Sequence, residues 1–330
     1  MKTAVGKIYL LSFILFLWTA FGCGKEAKKE FLTGIVLYGD SRQPQVRGFQ
    51  EGLAELGYVS GKNIHYIIRN AKNDRARLAG FVKELANRKV DLLVAAGGLE
   101  ADAMRRLQAA NKPPVLVLYV NSVIERKLIR DRRSPGWEVT GVDNLNAEIS
   151  GKRVELLHAL APRVRSILIL YYKRIPPSRI GVSRARIQAR KLGIRIDARA
   201  VTSRKEIARV MNSLRPGEAD AMLTVPTAPI DNALKEHILP AVNRLKLPLM
   251  THSRPLAQAG ALAAYGSPFY DMGKQASRLA DKIFRGVPAS KIPFETPKKF
   301  VYTVNRKTLK KISLKLNERS RSQINEFISP

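Results

Sequence analysis

Cysteine is almost absent: Cys23 is the one thiol in 330 residues. That excludes an internal disulfide and a cysteine-based metal cluster, so packing must hold the fold together. Histidine is nearly as scarce. His65, His158, His237 and His252 stand far apart, with no H-E-x-x-H pair of metal ligands, and each reads as a core, capping or surface residue. No G-x-S-x-G elbow, P-loop or G-x-G-x-x-G dinucleotide loop occurs either. The sequence therefore offers no catalytic residue, metal site or cofactor site that a motif would identify, and it reads as a non-enzyme.

Acidic residues are also few. Asp and Glu number 27 against 58 Lys and Arg, for a net charge of +31, a balance that suits nucleic acid, an anionic lipid surface or an acidic ligand. The basic residues run from Arg42 to Arg321 instead of forming one arm. No recognition helix, zinc finger or aromatic RNA-binding signature accompanies them, so nucleic acid is set aside as a partner. A generally basic, solvated surface that favours an anionic membrane face remains.

Long apolar runs are missing as well. The longest, residues 8–18, falls short of the about 20 apolar residues a spanning helix needs. It follows Lys2 and Lys7 and precedes the small residues Ala20 and Gly22, the order of a secretory signal. Residues 1–22 are read as a signal peptide and 23–30 as a tether. Ala20-Phe21-Gly22-Cys23 resembles a bacterial lipobox, in which the cysteine thiol is acylated. The expectation is an exported chain, lipid-anchored through Cys23 on the periplasmic or cell-surface side of a membrane.

What is present is an alternation of apolar runs with helical patterns. Strands are expected at 32–38, 64–69, 91–96 and 115–120, and helices at 46–56, 75–87 and 100–110. Leu78, Phe81, Val82 and Leu85 make an i, i+3, i+4, i+7 stripe in the second of these helices. A second series follows, with helices at 149–160, 179–192, 204–214 and 231–244 and strands at 166–172, 195–201, 219–224 and 247–251. A strand at 260–265, a helix stopped by Gly286-Val287-Pro288, a strand at 299–304 and a basic helix from 307 to about 316 close the pattern. Residues 317–330 read as a polar, frayed tail. Two successive βα series imply an α/β fold of two doubly wound parallel-sheet lobes.

Several phrases resemble one family. They are residues 48–64 (Gly-Phe-Gln-Glu-Gly-Leu-Ala-Glu-Leu-Gly-Tyr-Val-Ser-Gly-Lys-Asn-Ile), Val139-Thr140-Gly141-Val142, the run from Glu148 to Leu157, Tyr265-Gly266, Lys282 to Gly286, and Val304 to Thr308. In this order they resemble the ABC-transporter substrate-binding family that includes tryptophan- and tyrosine-binding lipoproteins. The resemblance implies a type I periplasmic-binding fold joined by a multi-strand hinge near Asp143-Asn144, Ala264-Tyr265 and Val287-Pro288. One lobe would hold 31–144 plus 265–287 and the other 145–264 plus 288–316. A small solute, an amino acid or related compound, would lie between them, and the partners would be a membrane permease and its ATPase.

Ligands of parallel α/β sheets lie beyond the carboxyl ends of strands. The first lobe then offers Ser41, Arg42, Gly97, Gly98, Glu100 and Asn121, and the crossing offers Asp143, with hinge duty as its other reading. Gly97-Gly98 opens a helix where free N–H groups suit an anion, or else simply makes a tight turn. The second lobe offers Tyr172, Thr227, Asp231, Ser253 and Arg254. Tyr172 could cover a ring or pack an interface. Asp231 reads first as a helix N-cap and second as an acceptor for a ligand ammonium, while Arg254 reads as a solvated arginine or an anion grip. Two departures from the family pattern, the missing hydroxyl and added Glu100 after Gly97-Gly98 and the inserted Ala228-Pro229-Ile230, leave a second reading open: a non-transport ligand sensor or interaction lipoprotein on the same fold.

Overall fold

The computed structural model describes residues 30–107 and 112–330. The apolar segment, Cys23 and most of the tether lie outside the described residues. No helix among the described residues is long and apolar enough to cross a membrane.

The first sheet is built from β1 (Phe31–Leu37), β2 (Ile64–Asn70), β3 (Leu92–Ala95), β4 (Val115–Val120) and β5 (Val139–Asp143), in the order β2-β1-β3-β4-β5 and parallel throughout. β3 and β4 are buried along their whole length, which is why they read as unbroken apolar runs and not as alternating ones. Helix α1 (Gln43–Glu55) covers one face of the sheet. On the other face α2 (Arg75–Asn87) and α3 (Gly98–Arg105) bury Leu78, Val82, Leu85 and Met104. Asp74 caps α2 by accepting the Arg77 N–H at 2.8 Å.

The second lobe runs α4 (Ser150–Leu160), β6 (Ser166–Tyr171), α5 (Pro176–Lys191), β7 (Arg195–Ala200), α6 (Arg204–Ser213), β8 (Ala221–Leu223), α7 (Ala228–Ala233), α8 (Leu239–Arg244), β9 (Leu249–Thr251), α9 (Arg254–Gln258) and β10 (Ala263–Gly266). A π turn, Leu234–Ile238, joins α7 to α8. Pro240 lacks the N–H that would bond back to Glu236, so the regular ladder cannot run through this point.

After β10 the chain returns to the first lobe as α10 (Phe269–Phe284), whose Met272, Ala276 and Leu279 join Val46, Phe49 and Leu53 of α1 in one core. The two helices nearly touch: a Cβ at Gly48 would fall 2.1 Å from the Tyr270 carbonyl oxygen, and one at Gly273 1.9 Å from that of Gln45. β11 (Val301–Asn305), α11 (Arg306–Lys311), α12 (Glu318–Ser322) and β12 (Glu326–Ile328) then complete the second lobe. Its seven strands are ordered β12-β11-β10-β9-β8-β6-β7, with β11 antiparallel to β10 and the other pairings parallel.

Three expectations change. Residues 317–330 are not a frayed tail: Asn317 caps α12, and β12 pairs with β11 through Thr303, Val304 and Asn305. The second crossing follows Gly266, because β10 stays paired with β11 to that point. The third falls beyond Glu295 and not at Val287-Pro288. The Ala289 N–H donates to the Glu138 carboxylate, Ile292 and Phe294 pack into the first lobe, and the Glu295 backbone bonds to Gly141 and Asp143 of β5.

Candidate ligand-binding cleft

The carboxyl ends of both sheets face a common cleft of about 480 Å3. One wall comes from the first lobe: Ser41 and Arg42 after β1, Gly98, Leu99 and Asp102 at the start of α3, and Asn121 and Arg126 after β4. The facing wall takes Arg174 and Pro176 from the loop after β6, Thr227 and Asp231 after β8, and His252 and Ser253 after β9. Tyr119, Asn144 and Phe269 form the floor, with the Tyr119 and Phe269 rings edge to face at 4.7 Å. A larger hollow of about 590 Å3 lies between α2 and α3, but none of its lining side chains carries a buried polar atom without a partner among the described residues. Five such atoms, on Arg42, Asn144, Thr227, Asp231 and His252, belong to residues that line the cleft.

On the first wall Glu100, Asp102 and Arg126 have hydrogen-bond partners, whereas the buried Arg42 Nε has none among the described residues. Glu100 is fully buried, accepts the Tyr38 N–H at 2.7 Å, and has the Arg42 Nε 3.6 Å away. Arg126 donates to Asp102 at 2.9 Å and to the Asn121 carbonyl at 3.0 Å. Burial pushes the Asp102 carboxyl above its usual range, with Arg126 opposing. Both guanidinium groups lie on glycine: a Cβ at Gly97 would meet Arg42 at 2.9 Å, and one at Gly98 would meet Arg126 at 3.1 Å. The close approach, more than a bare helix N-terminus, is what this glycine pair provides.

The second wall and floor hold the other four of these atoms. Asp231 Oδ2 sits 3.4 Å from His252 Nε2, while Asp231 Oδ1, His252 Nδ1, Thr227 Oγ1 and Asn144 Nδ2 are buried with no hydrogen-bond partner among the described residues. Asn144 holds its amide in place by accepting the Asn146 N–H through Oδ1 at 2.9 Å, which leaves its NH2 free to donate. Each unsatisfied buried group costs about 1–3 kcal/mol. Several in one cleft, both acceptors and donors, match a zwitterionic or otherwise polar ligand.

Of the residues singled out from sequence, Ser41, Arg42, Gly98, Asn121, Thr227, Asp231 and Ser253 line the cleft. Gly97 and Glu100 lie one layer behind, under Arg42. Asp143, Tyr172 and Arg254 lie elsewhere. Asp143 is buried at the end of β5 in an ion pair with Arg132, 2.5 Å at its shortest. Tyr172 packs on the second-lobe core, its N–H bonded to Ser178. Arg254 does grip an anion, but that anion is Glu326 of β12, at 2.8 Å. The N-cap expected at Asp231 is instead Thr227, because Ala228-Pro229-Ile230 forms the first turn of α7. Asp231 therefore sits inside that turn with its carboxylate free of capping duty.

Sequence reasoning did not single out Asp102, Arg126, Arg174, His252 or Phe269. His252 had a signal, since it directly precedes Ser253 at a strand end. Arg126 had none, because a loop that turns back through Ser122, at φ 54°, carries it there.

Two largely parallel sheets, crossed three times and open to a shared cleft, define a type I periplasmic-binding-protein-like fold. Residues 34–326 match the ABC transporter substrate binding protein family, and the chain belongs to it. A tyrosine-binding protein of Clostridioides difficile is 26% identical over 292 residues, which make up 88% of this chain and 83% of that protein. An ABC domain from Streptococcus pneumonia in complex with L-Trp superposes with a TM-score of 0.81 at 23% identity, covering 91% of this chain and 100% of that one. A ligand-free, open substrate-binding protein with adhesive properties from Clostridium difficile does so at 0.73 and 22% identity, covering 91% and 99%.

Proposed function

We propose that this protein is the extracytoplasmic solute-binding lipoprotein of an ABC importer, held at the membrane through Cys23, and that it delivers an amino acid or closely related compound to a permease driven by an ATPase. The observation that carries the reading is the group of unpartnered buried atoms on Asn144, Thr227, Asp231 and His252, around one interlobe cleft. Asp231 would accept the ligand ammonium, Asn144 and Thr227 would donate to its carboxylate, and Tyr119 with Phe269 would bound its side chain. The tryptophan and tyrosine named for two relatives fit this division of roles. Closure of the lobes, not chemistry, is the working step, and the ligand favours it only by binding the closed state more tightly.

A thermal-shift screen against amino acids, nucleosides and small anions tests the assignment. A ligand at a hundred times its Kd stabilises the folded state by about 2.7 kcal/mol, so a matching amino acid should raise the melting point clearly. A screen in which no amino acid moves the melting point would sink the reading. The adhesive relative supports a second role, contact with a partner without transport; a strain deleted for this chain that loses partner contact while its amino-acid uptake is unchanged would favour it.

A further inference from the structure

Between Glu155 and Asp197 the sequence contains no acidic residue and ten lysines and arginines. Five of these fall on α5, where Arg179, Arg184, Arg186, Arg190 and Lys191 are all exposed. None of the five is ion-paired among the described residues, whereas next to them Lys152 on α4 pairs with Glu155 and Arg199 on β7 with Asp197 and Glu218. Positions 179, 183, 186 and 190 follow the i, i+4, i+7, i+11 spacing of one helix face. With Lys173 and Tyr171 they line a shallow hollow of about 540 Å3 that has no carboxylate in its wall. Gly181, Val182, Ala185 and Ala189 are buried on the inner side of the helix. Arg186 and Arg190 stand four apart with like charge, which opposes helix formation, so the stripe does not serve the fold.

A second observation separates the candidate partners. Ile187, 41% exposed, projects from the midst of these cations. A soluble polyanion has no use for an aliphatic side chain there, and single-stranded nucleic acid is held by aromatic stacking, which this face lacks apart from Tyr171. A basic helix face with an exposed aliphatic residue suits a lipid headgroup layer over an acyl boundary.

We propose that the outward face of α5 rests on an anionic phospholipid surface, with Arg179, Arg186 and Arg190 among the headgroup phosphates and Ile187 reaching below them. This holds whatever the cleft binds. It orients the second lobe against the membrane and leaves the cleft mouth beside that surface.

Because Cys23 is the sole cysteine, the full chain with Cys23→Ser and Ile187→Cys carries one thiol for an environment-sensitive fluorophore. On vesicles of phosphatidylcholine mixed with phosphatidylglycerol, the emission should shift to the blue and be quenched by brominated lipid. On pure phosphatidylcholine vesicles neither should happen, even where the apolar N-terminal segment holds the protein to them. Raised salt should reverse the shift. A Lys or Arg near such a surface strengthens binding about fivefold, so R179E/R186E/R190E should weaken it on the order of a hundredfold or more. R186Q/R190Q, read in parallel with circular dichroism melts of both variants, keeps the result interpretable if the triple variant does not fold. Equal emission on both vesicle types, a shift that survives in these variants, or the same shift with polyphosphate or a DNA oligonucleotide would overturn the proposal.

Discussion

The two walls of the cleft are made from the same kinds of residue but are paired to different degrees. On the first-lobe wall Arg126 is bonded to Asp102 and Arg42 lies 3.6 Å from Glu100, both close to a pair of glycines, so Arg126 is spent on the fold while the buried Arg42 Nε keeps no hydrogen bond among the described residues. On the second-lobe wall and floor Asp231, His252, Thr227 and Asn144 keep polar atoms unspent. A count of charged residues at the cleft would rank the first wall as the more important for a ligand. Pairing changes that order, because an arginine already bonded to a carboxylate, as Arg126 is, gains little from a second anion, whereas a carboxylate with one unpartnered oxygen, as Asp231 has, gains more from a cation.

Both walls stand on one support, and the largest expected effect lies there. Arg153 is fully buried, donating to the Tyr265 carbonyl at 2.7 Å, to the Asn146 carbonyl at 2.5 Å and to Asn146 Oδ1 at 2.7 Å. Asn146 in turn donates to the Tyr119 hydroxyl on the cleft floor. Burial lowers the guanidinium pKa to about 9. Arg153→Leu would strand these acceptors at about 1–3 kcal/mol each, so a loss of about 3 kcal/mol or more should appear in urea melts. Hydrogen exchange should speed up in β4 and β10 together. Faster exchange in one lobe alone would mean that Arg153 does not join the walls.

Next in size are the substitutions that set one wall against the other. For the tightest amino acid found by screening, Asp231→Asn and Asn144→Ala should each weaken binding about tenfold to a hundredfold, roughly 1.4–2.8 kcal/mol, by isothermal titration calorimetry. Arg126→Gln should change affinity less than about threefold while lowering stability by up to about 1 kcal/mol, as expected of a partly exposed pair. If Arg126→Gln has the greater effect on affinity, the contrast between the walls is inverted.

Sequence alone went far with the elements and less far with the walls. Buried parallel strands such as β4 must be apolar on both faces, and helices such as α2 and α6 carry stripes and caps, so local rules found them. What escaped was set by distant pairing. β12 has only three paired residues, and its place beside β11 follows from contacts that no short window contains; Ile324 and Phe327-Ile328 were the apolar hints in residues 317–330. The same strand explains Arg254, whose partner Glu326 lies 72 residues away. Asp231 misled for a local reason: an aspartate near a helix start suggests a cap, but the Pro229 turn moved the start to Thr227. Whether a cleft residue is spent or free depends on pairings such as Arg126 with Asp102, and spacing does not reveal these.

The smallest effect concerns Glu148, which ties the segment before α4 to the loop after β4. Its carboxylate accepts the Ser122 hydroxyl of the first-wall loop at 3.2 Å, and its Oε2 is buried without a partner among the described residues. Burial, then the charge of Asp143, pushes its pKa upward, and burial does the same for Asp143 against the opposing Arg132. A carboxyl held above its unfolded value, about 4.3 for glutamate, binds its proton more tightly in the folded state. Stability contributed this way is present at low pH and lost as pH rises through the folded value. Mild acidification from neutrality should therefore raise the melting temperature. Further acidification should lower it, as Asp74, Glu84 and Asp220, whose pKa values are depressed by hydrogen bonds, take up protons. Glu148→Gln should stabilise slightly at neutral pH and flatten the acid-side rise in a calorimetric pH series. An unchanged slope would mean that the Glu148 carboxyl is already compensated in the folded state.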